Sequence, residues 1–169
     1  MTAWEGKEAR RPRGTSDVLG LAGFLALNLL VLAAGGVATA RSVEIWYPSL
    51  AKPGFTPPAW VFGPVWTVLF FLMAIAGWRI WRRFGAPGRG PALLLYLGQL
   101  GLNLLWSVLF FGFQAPGVAL LEILLLLFFI LAATMVFAPI DRLAAACFAP
   151  YAVWVAFAAV LNGMIWFLN

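Results

Sequence analysis

Five long apolar runs, separated by short polar or basic segments, dominate the chain. A helix of about 20 apolar residues crosses the hydrocarbon core of a bilayer. With 64% hydrophobic residues, a chain of 169 residues carries more apolar surface than a soluble domain of that size can bury. The sequence therefore predicts an all-α membrane protein, a single five-helix transmembrane bundle with helices over residues 18–40, 57–81, 92–113, 118–138 and 143–168.

The basic residues are distributed unequally over the segments between these helices. Nine lie in the N-terminal tail (residues 1–17) and in the turns at 79–91 and 139–142, whereas the first connecting segment holds only Arg41 and Lys52. Cytoplasmic segments of membrane proteins carry an excess of lysine and arginine. This predicts a disordered basic tail on the cytoplasmic side, an external C-terminus, and a bacterial inner membrane as the location.

Composition argues against several kinds of site. The chain has no histidine, which is the commonest metal ligand and general base. We therefore expect no metal site, no histidine-ligated haem and no Ser-His-Asp triad. The single cysteine, Cys147, excludes an internal disulfide. The basic residues flank apolar runs and no nucleic-acid-binding motif is present, so nucleic acid is not an expected partner.

The stretch from Trp46 to Trp66 reads WYPSLAKPGFTPPAWVFGPVW and is rich in aromatic residues and proline. Its first four prolines predict that residues 46–58 are not a continuous helix, within a loop over 41–59. Thr56 resembles a helix N-cap, and a proline follows it at the first helical position. Two interpretations stay open, a rigid lid over a pocket or an aromatic belt at the membrane interface.

Polar side chains inside the predicted spans are candidate functional groups, because they are costly in a bilayer. Gln99, Asn103 and Ser107 recur every four residues and share one face of the third helix. They fit either hydrogen bonds between helices or the wall of a ligand cavity. Glu122, the only acid within a span, fits a structural role near a helix N-terminus or a functional one.

Two tryptophans lie far from the predicted membrane interfaces. Trp66 and Trp154 are each about halfway along a span, where tryptophan is less expected than at the boundary. We expect both to face protein or a cavity rather than lipid. Core packing explains them, and so does an aromatic pocket that stacks on a flat apolar ligand.

Several motifs together resemble the TspO/MBR family, which comprises bacterial tryptophan-rich sensory proteins and mitochondrial translocator proteins. The resemblance extends from about residue 41 to 162. Its motifs are WY at 46–47, LxKPxxxPP at 50–58, WVFGPVWT at 60–67, GQLxLNxxWS at 98–107, FFG at 110–112, PYxxWxAF at 150–157 and LN at 161–162.

This resemblance implies a five-helix bundle, commonly a homodimer, with a cavity that opens towards the first loop. Family members bind tetrapyrroles such as protoporphyrin IX and haem as ligands rather than as required cofactors, and some bind cholesterol or benzodiazepine-type compounds. The sterol-recognition pattern near the end of the fifth helix is not intact here. By motif match, the ligand-binding positions would be Trp46, Tyr47, Trp66, Phe70, Asn103, Trp106, Trp154 and Ala158.

The resemblance implies an integral membrane protein that senses, regulates or transports tetrapyrroles. Arg41 and Lys52 are expected to meet the propionates of such a ligand at the membrane surface. The alternative is an enzyme that degrades porphyrin in light and oxygen, for which Trp66 and Trp154 would be the catalytic pair. A regulatory scaffold that works through protein partners is a third hypothesis. Because relatives also occur in outer membranes, that location is the alternative to the inner membrane.

Overall fold

The computed structural model describes residues 14–169, and this part of the chain is helical with no strand. A five-residue π-helical segment, which we call the π segment, continues the third helix over Val108–Gly112. All five helices are long and apolar enough to cross a membrane, which confirms the predicted all-α five-helix architecture. The helices are α1 (Thr15–Ser49), α2 (Ala59–Arg82), α3 (Arg89–Ser107), α4 (Pro116–Phe137) and α5 (Arg142–Leu168).

The bundle is buried along its centre and apolar on its outside. α4 packs between α3 and α5, and α2 packs against α1 and α5. Met73, Tyr96, Ile130 and Tyr151 are fully buried in the resulting core. Large apolar side chains such as Leu94 stay exposed on the outer faces, as expected of surfaces that contact lipid tails rather than water.

α1 is longer than the sequence predicted, because residues 41–49 continue the helix. The Ser42 hydroxyl donates to the Phe111 carbonyl at 2.5 Å. Further along α1, the rings of Trp46 and Tyr47 pack against the π segment. These tertiary contacts stabilise the part of α1 that the sequence had placed in a loop over 41–59. The prediction of a loop over these residues is therefore wrong.

The non-helical connection between α1 and α2, hereafter the first loop, is limited to residues 50–58. Pro48 does stop α1, but the helix ends one residue beyond it. The loop is fastened to the end of α5, where the Asn169 side chain accepts from Ala51 N at 2.9 Å and donates to Ala51 O at 3.0 Å. Phe55 contacts Phe157 of α5 in the same region, with ring centroids 6.3 Å apart.

The other helix ends lie close to their predicted positions, with two differences. α2 begins at Ala59 rather than at residue 57, and the Thr56 hydroxyl donates to the Pro53 carbonyl at 2.7 Å instead of capping the helix. α1 begins at Thr15, so the last residues of the predicted tail are helical. Residues 1–13 of that tail lie outside the described part of the chain.

One end of the bundle, which we call the arginine end, is held by ionic contacts. Asp141 caps α5 by accepting from the backbone N–H groups of Leu143 and Ala144. It also pairs with Arg79 at 2.9 Å and with Arg83 at 2.7 Å. Burial alone would raise the pKa of Asp141, but the hydrogen bonds from Arg83, Ala144 N–H and Arg79 outweigh it and lower the pKa to about 2. A single carboxylate thus ties the end of α2 to the start of α5.

Candidate ligand cavity

A cavity of about 430 Å³, the main cavity, lies among α1, α2, α3, the π segment and α5. Among the described residues of its wall, none is charged. Its polar residues are Thr39, Thr67, Asn103, Ser107 and Asn162. Its aromatic residues are Tyr47, Phe62, Trp66, Phe70, Trp106, Phe110 and Phe111.

The π segment shapes one aromatic side of this wall. Trp106 stacks on Phe110 at a ring-centroid distance of 5.3 Å and an angle of 26°, and it meets Phe111 edge-on at 5.9 Å. The wider turn of a π-helix inserts one extra residue, and such turns are frequent at functional sites. Here it brings two consecutive phenylalanines to the same cavity.

The facing side belongs to α2, where Phe62, Trp66 and Phe70 recur every four residues and so share one helical face. Trp154 does not reach the wall and lies behind this row. The centroid of its ring lies 6.5 Å from that of Trp66, with the two ring planes at 90°, and 5.8 Å from that of Phe62. The Trp154 indole N–H is buried and has no hydrogen-bond partner among the described residues.

The polar stripe predicted on α3 consists of Gln99, Asn103 and Ser107, and its members differ in whether they line the cavity or bond to another helix. Asn103 lines the main cavity and also donates to the Tyr151 hydroxyl of α5 at 2.9 Å. Ser107 lines the cavity, and its hydroxyl donates to the Asn103 carbonyl of its own helix at 3.5 Å. Gln99 is fully buried away from the wall, and neither of its side-chain polar atoms has a partner within residues 14–169.

A second amide ties the cavity wall to the bundle. Asn162 of α5 accepts from the Trp106 indole at 3.1 Å and donates to the Pro116 carbonyl at 2.7 Å. It thereby fixes the orientation of the Trp106 ring and joins α3, α4 and α5. Glu122 is buried elsewhere, off the cavity wall, and its carboxylate oxygens have no hydrogen-bond partner in the described chain.

The main cavity opens sideways, between α1 and α2. Gly36, Val43, Ala59 and Gly63 belong to its wall and are also exposed on the bundle surface. A Cβ atom placed on either glycine would meet nothing within 4 Å, so this seam is open. No residue of the first loop lies on the wall itself, but Leu50 of that loop packs against a cluster that includes the wall residues Phe110 and Leu161. The opening seen is lateral, and a cavity covered by the first loop stays a prediction.

Six of the eight positions implied by the family motifs lie on the cavity wall, and two do not. Trp46 packs on the far side of Phe110, at a centroid distance of 5.6 Å, and Trp154 lies behind Trp66. The six on the wall are Tyr47, Trp66, Phe70, Asn103, Trp106 and Ala158.

The two basic residues expected to meet propionates differ in position. Lys52 Nζ donates to the carbonyls of Tyr47 and Leu50, each at 2.8 Å, and lies 5.0 Å from the centroid of the Tyr47 ring. It neutralises the negative end of α1 beside a wall residue. Arg41 is exposed and is two residues from both Thr39 and Val43, which places it on the opposite side of α1 from the cavity.

Several wall residues were not singled out by the sequence reasoning. Phe62 was identifiable from its spacing of four residues to Trp66. Thr39 and Val43 share the same spacing with Tyr47, but that signal exists only if α1 continues past residue 41. Phe110 and Phe111 give no such signal, because an α-helical register does not put two consecutive residues on one wall.

Comparisons with known proteins agree with this architecture. The sequence profile of the TspO/MBR family matches residues 24–167. The chain is 40% identical over 154 residues to the tryptophan-rich protein TspO of Archaeoglobus fulgidus, covering 90% of this chain and 99% of that protein. It is 38% identical over 141 residues to the tryptophan-rich sensory protein of Cereibacter sphaeroides, covering 81% and 87% of the two chains.

The human translocator protein is also similar, at 38% identity over 123 residues, with 72% of this chain and 73% of that protein covered. The family profile extends over all five helices that can cross a membrane. The chain is therefore an integral, multi-pass membrane protein that belongs to the TspO/MBR family.

Proposed function

We propose that the protein binds a tetrapyrrole such as protoporphyrin IX or haem in the main cavity and acts as a sensor or transporter of it. The observation that carries this proposal is the uncharged aromatic wall, in which Trp66 and Trp106 belong to rows on different helices. Relatives are named as a sensory protein and a translocator protein, which supports a role in recognising or moving a ligand.

The cavity has a suitable size and chemistry for such a ligand. Small-molecule sites typically enclose about 300–1,000 Å³ and are mainly apolar with a few polar groups, and this cavity encloses about 430 Å³. A porphyrin is flat, aromatic and largely apolar, so indole and phenyl rings can stack on it or meet its edge. Without histidine in the chain, haem would be held through its ring and propionates.

The lateral opening favours entry from the membrane. A ligand that enters between α1 and α2 with its apolar edge first keeps its carboxylates at the surface. Lys52 is the better candidate to meet them, since its ammonium lies beside Tyr47. To do so it would exchange one of its carbonyl contacts for a charged partner. Arg41 is not part of this proposal because of its position on α1.

Titration of the purified protein with protoporphyrin IX, followed by tryptophan fluorescence quenching, tests the assignment. Trp66→Ala and Trp106→Ala should each weaken binding about fivefold or more, because stacking of a flat ring on an aromatic side chain contributes about 1–3 kcal/mol. Trp60→Ala is the matched control, since Trp60 is 75% exposed and off the wall. Identical affinities for all three variants would exclude the main cavity as the site.

The contact between Trp66 and Trp154 favours a second candidate function, light-dependent degradation of porphyrin with dioxygen as the oxidant. Two indoles in contact, one beside the ligand, provide a short route for an electron towards a light-excited macrocycle. Trp154→Phe keeps an aromatic ring behind Trp66 and should leave binding intact. Loss of porphyrin under light that stops in this variant, and that a heat-denatured sample does not reproduce, would support an enzyme.

For the orientation, we propose a cytoplasmic N-terminus in a bacterial inner membrane. The basic residues Arg79, Arg82, Arg83, Arg89 and Arg142 all lie at the arginine end, which supports placing that end in the cytoplasm. A reporter fused after Asn169 should then be active only outside the cytoplasm. Activity of a cytoplasm-specific reporter at the same position would reverse the orientation.

A further inference from the structure

A second concavity, separate from the main cavity, lies at the arginine end. This open groove of about 850 Å³ runs between the end of α4 and the start of α5, and we call it the arginine groove. Arg83 and Arg142 stand at its mouth, and its floor carries Thr134, Ala138, Ala145, Ala146 and Ala149. It shares no residue with the main cavity.

The mouth of the groove retains positive charge. Asp141 is the one acid on the wall, its side chain is 3% exposed, and both Arg79 and Arg83 already share it. Arg83 binds it through Nε and Nη2 and remains 51% exposed. Arg142 is exposed, and no ionic partner for it is found among residues 14–169. The guanidinium groups of Arg83 and Arg142 are therefore accessible at the mouth, and the carboxylate of Asp141 is too buried and too fully paired to neutralise both of them.

The floor of the groove carries small side chains, namely four alanines and Thr134, whose hydroxyl is already bonded to the Ile130 carbonyl. Ala138, which follows the end of α4, and Ala145, Ala146 and Ala149 of α5 all line the groove. From Arg142 to Ala149 the helix rises about 10 Å, so the floor leads from the end of the helix into the membrane-spanning part. Ala146 and Ala149 are exposed on the outside of the bundle, where lipid tails lie.

From this arrangement we propose that the arginine groove binds an anionic phospholipid. The phosphate occupies the mouth between Arg83 and Arg142, since guanidinium groups are well suited to phosphate oxygens, and the first part of an acyl chain lies along the alanine floor. Basic pockets between transmembrane helices at the cytoplasmic side are suited to anionic head groups. A free inorganic anion would use the mouth but would gain nothing from the floor.

Two substitutions test the mouth and the floor separately. Arg142→Gln removes a guanidinium that forms no ion pair within residues 14–169, and Ala146→Phe fills the floor without changing any charge. Arg89→Gln is the matched control, because it removes the same charge at the same end, where Arg89 lies over the Phe84 ring and off the groove. The probe is short-chain phosphatidylglycerol, titrated into the full chain in uncharged detergent, with phosphatidylcholine as the reference lipid.

We expect both groove variants to bind phosphatidylglycerol about fivefold more weakly than the unmodified chain, and Arg89→Gln to bind it equally well. For the arginine, a fivefold loss corresponds to the roughly 1 kcal/mol that one basic side chain contributes near an anionic membrane surface. Equal weakening by Arg89→Gln would show diffuse attraction and overturn the site. An unchanged affinity in Ala146→Phe, with full competition by inorganic phosphate, would show an anion site and overturn the lipid assignment.

Discussion

Asp141 joins two kinds of stabilisation in one carboxylate, and substitution can separate them. Asp141→Asn removes the charge but keeps an oxygen that accepts from Leu143 and Ala144 N–H, since asparagine caps helices as well as aspartate does. Asp141→Ala removes both the charge and the cap. The difference between the two variants therefore isolates the cap, and the difference between Asp141→Asn and the unmodified chain isolates the ion pairs.

The pKa of Asp141 sets the size of the charge effect. It falls from 3.8 to about 2, and at about 1.4 kcal/mol per pH unit this corresponds to roughly 2 kcal/mol. Removing one partner of a fully buried ion pair costs about 3–5 kcal/mol. The smaller figure is appropriate here because Arg79 and Arg83 are 27% and 51% exposed and water can solvate them once the carboxylate is gone.

We expect Asp141→Asn to lower the free energy of unfolding by about 2 kcal/mol at pH 7, and Asp141→Ala to lower it by about 1 kcal/mol more. Because the folded-state pKa is depressed, the contribution is fully present above pH 3.8 and is lost as the pH falls through about 2. Unfolding in detergent, followed by circular dichroism, should show the gap between the unmodified chain and Asp141→Asn closing over this range.

Two results would refute this reasoning. Equal stability of Asp141→Asn and the unmodified chain at pH 7 would show that the ion pairs contribute nothing. A gap that stays constant from pH 5 to pH 2 would show that the carboxylate is not the titrating group. Arg82→Gln provides the control, because Arg82 pairs with Asp17 at the same end through a more exposed contact at 3.0 Å, for which a loss under 1 kcal/mol is expected.

Three further outcomes follow from the main cavity and the first loop. Gly63→Leu should slow ligand association without lowering the unfolding temperature, since its side chain enters open space at the lateral opening; stopped-flow quenching measures the rate. Asn162→Leu should destabilise the bundle by about 1 kcal/mol, because hydrogen bonds between membrane helices contribute roughly 0.6 kcal/mol each and it makes two; thermal unfolding measures this. Asn169→Ala should release Ala51 and make the first loop more sensitive to protease; limited proteolysis measures this.

The five helices were predictable because each is a long apolar run, and the bilayer imposes that pattern directly on the sequence. The end of α1 was not, because the last two turns depend on contacts of Ser42 and Trp46 with the π segment. Proline chemistry correctly indicated a stop near Pro48, yet it gives no information on how much chain before that stop is helical. The length of α1 before Pro48 depends on contacts with a distant part of the chain, which local sequence rules do not describe.

The candidate site was predictable at the level of residues but not of arrangement. Tryptophans in the middle of a span face protein because the indole N–H finds no hydrogen-bond partner among lipid tails. That reasoning holds for Trp66 and for Trp154, which both pack against the core. Sequence position does not tell which of the two reaches a cavity and which supports it from behind. Likewise, the spacing of Gln99 and Asn103 places them on one face but does not show that only Asn103 reaches the wall.

The seam at Gly36 and Gly63 lies between two helices that are long and apolar enough to cross a membrane, so we expect it to open towards the lipid. Occupancy by any oil-soluble compound is therefore governed by its mole fraction among the lipids. Adding more bilayer at a fixed total amount of compound dilutes it and lowers occupancy, even though the intrinsic affinity is unchanged. Dissociation constants measured in different detergents, or at different amounts of lipid, become comparable only when they are expressed as mole fractions of the compound in the lipid.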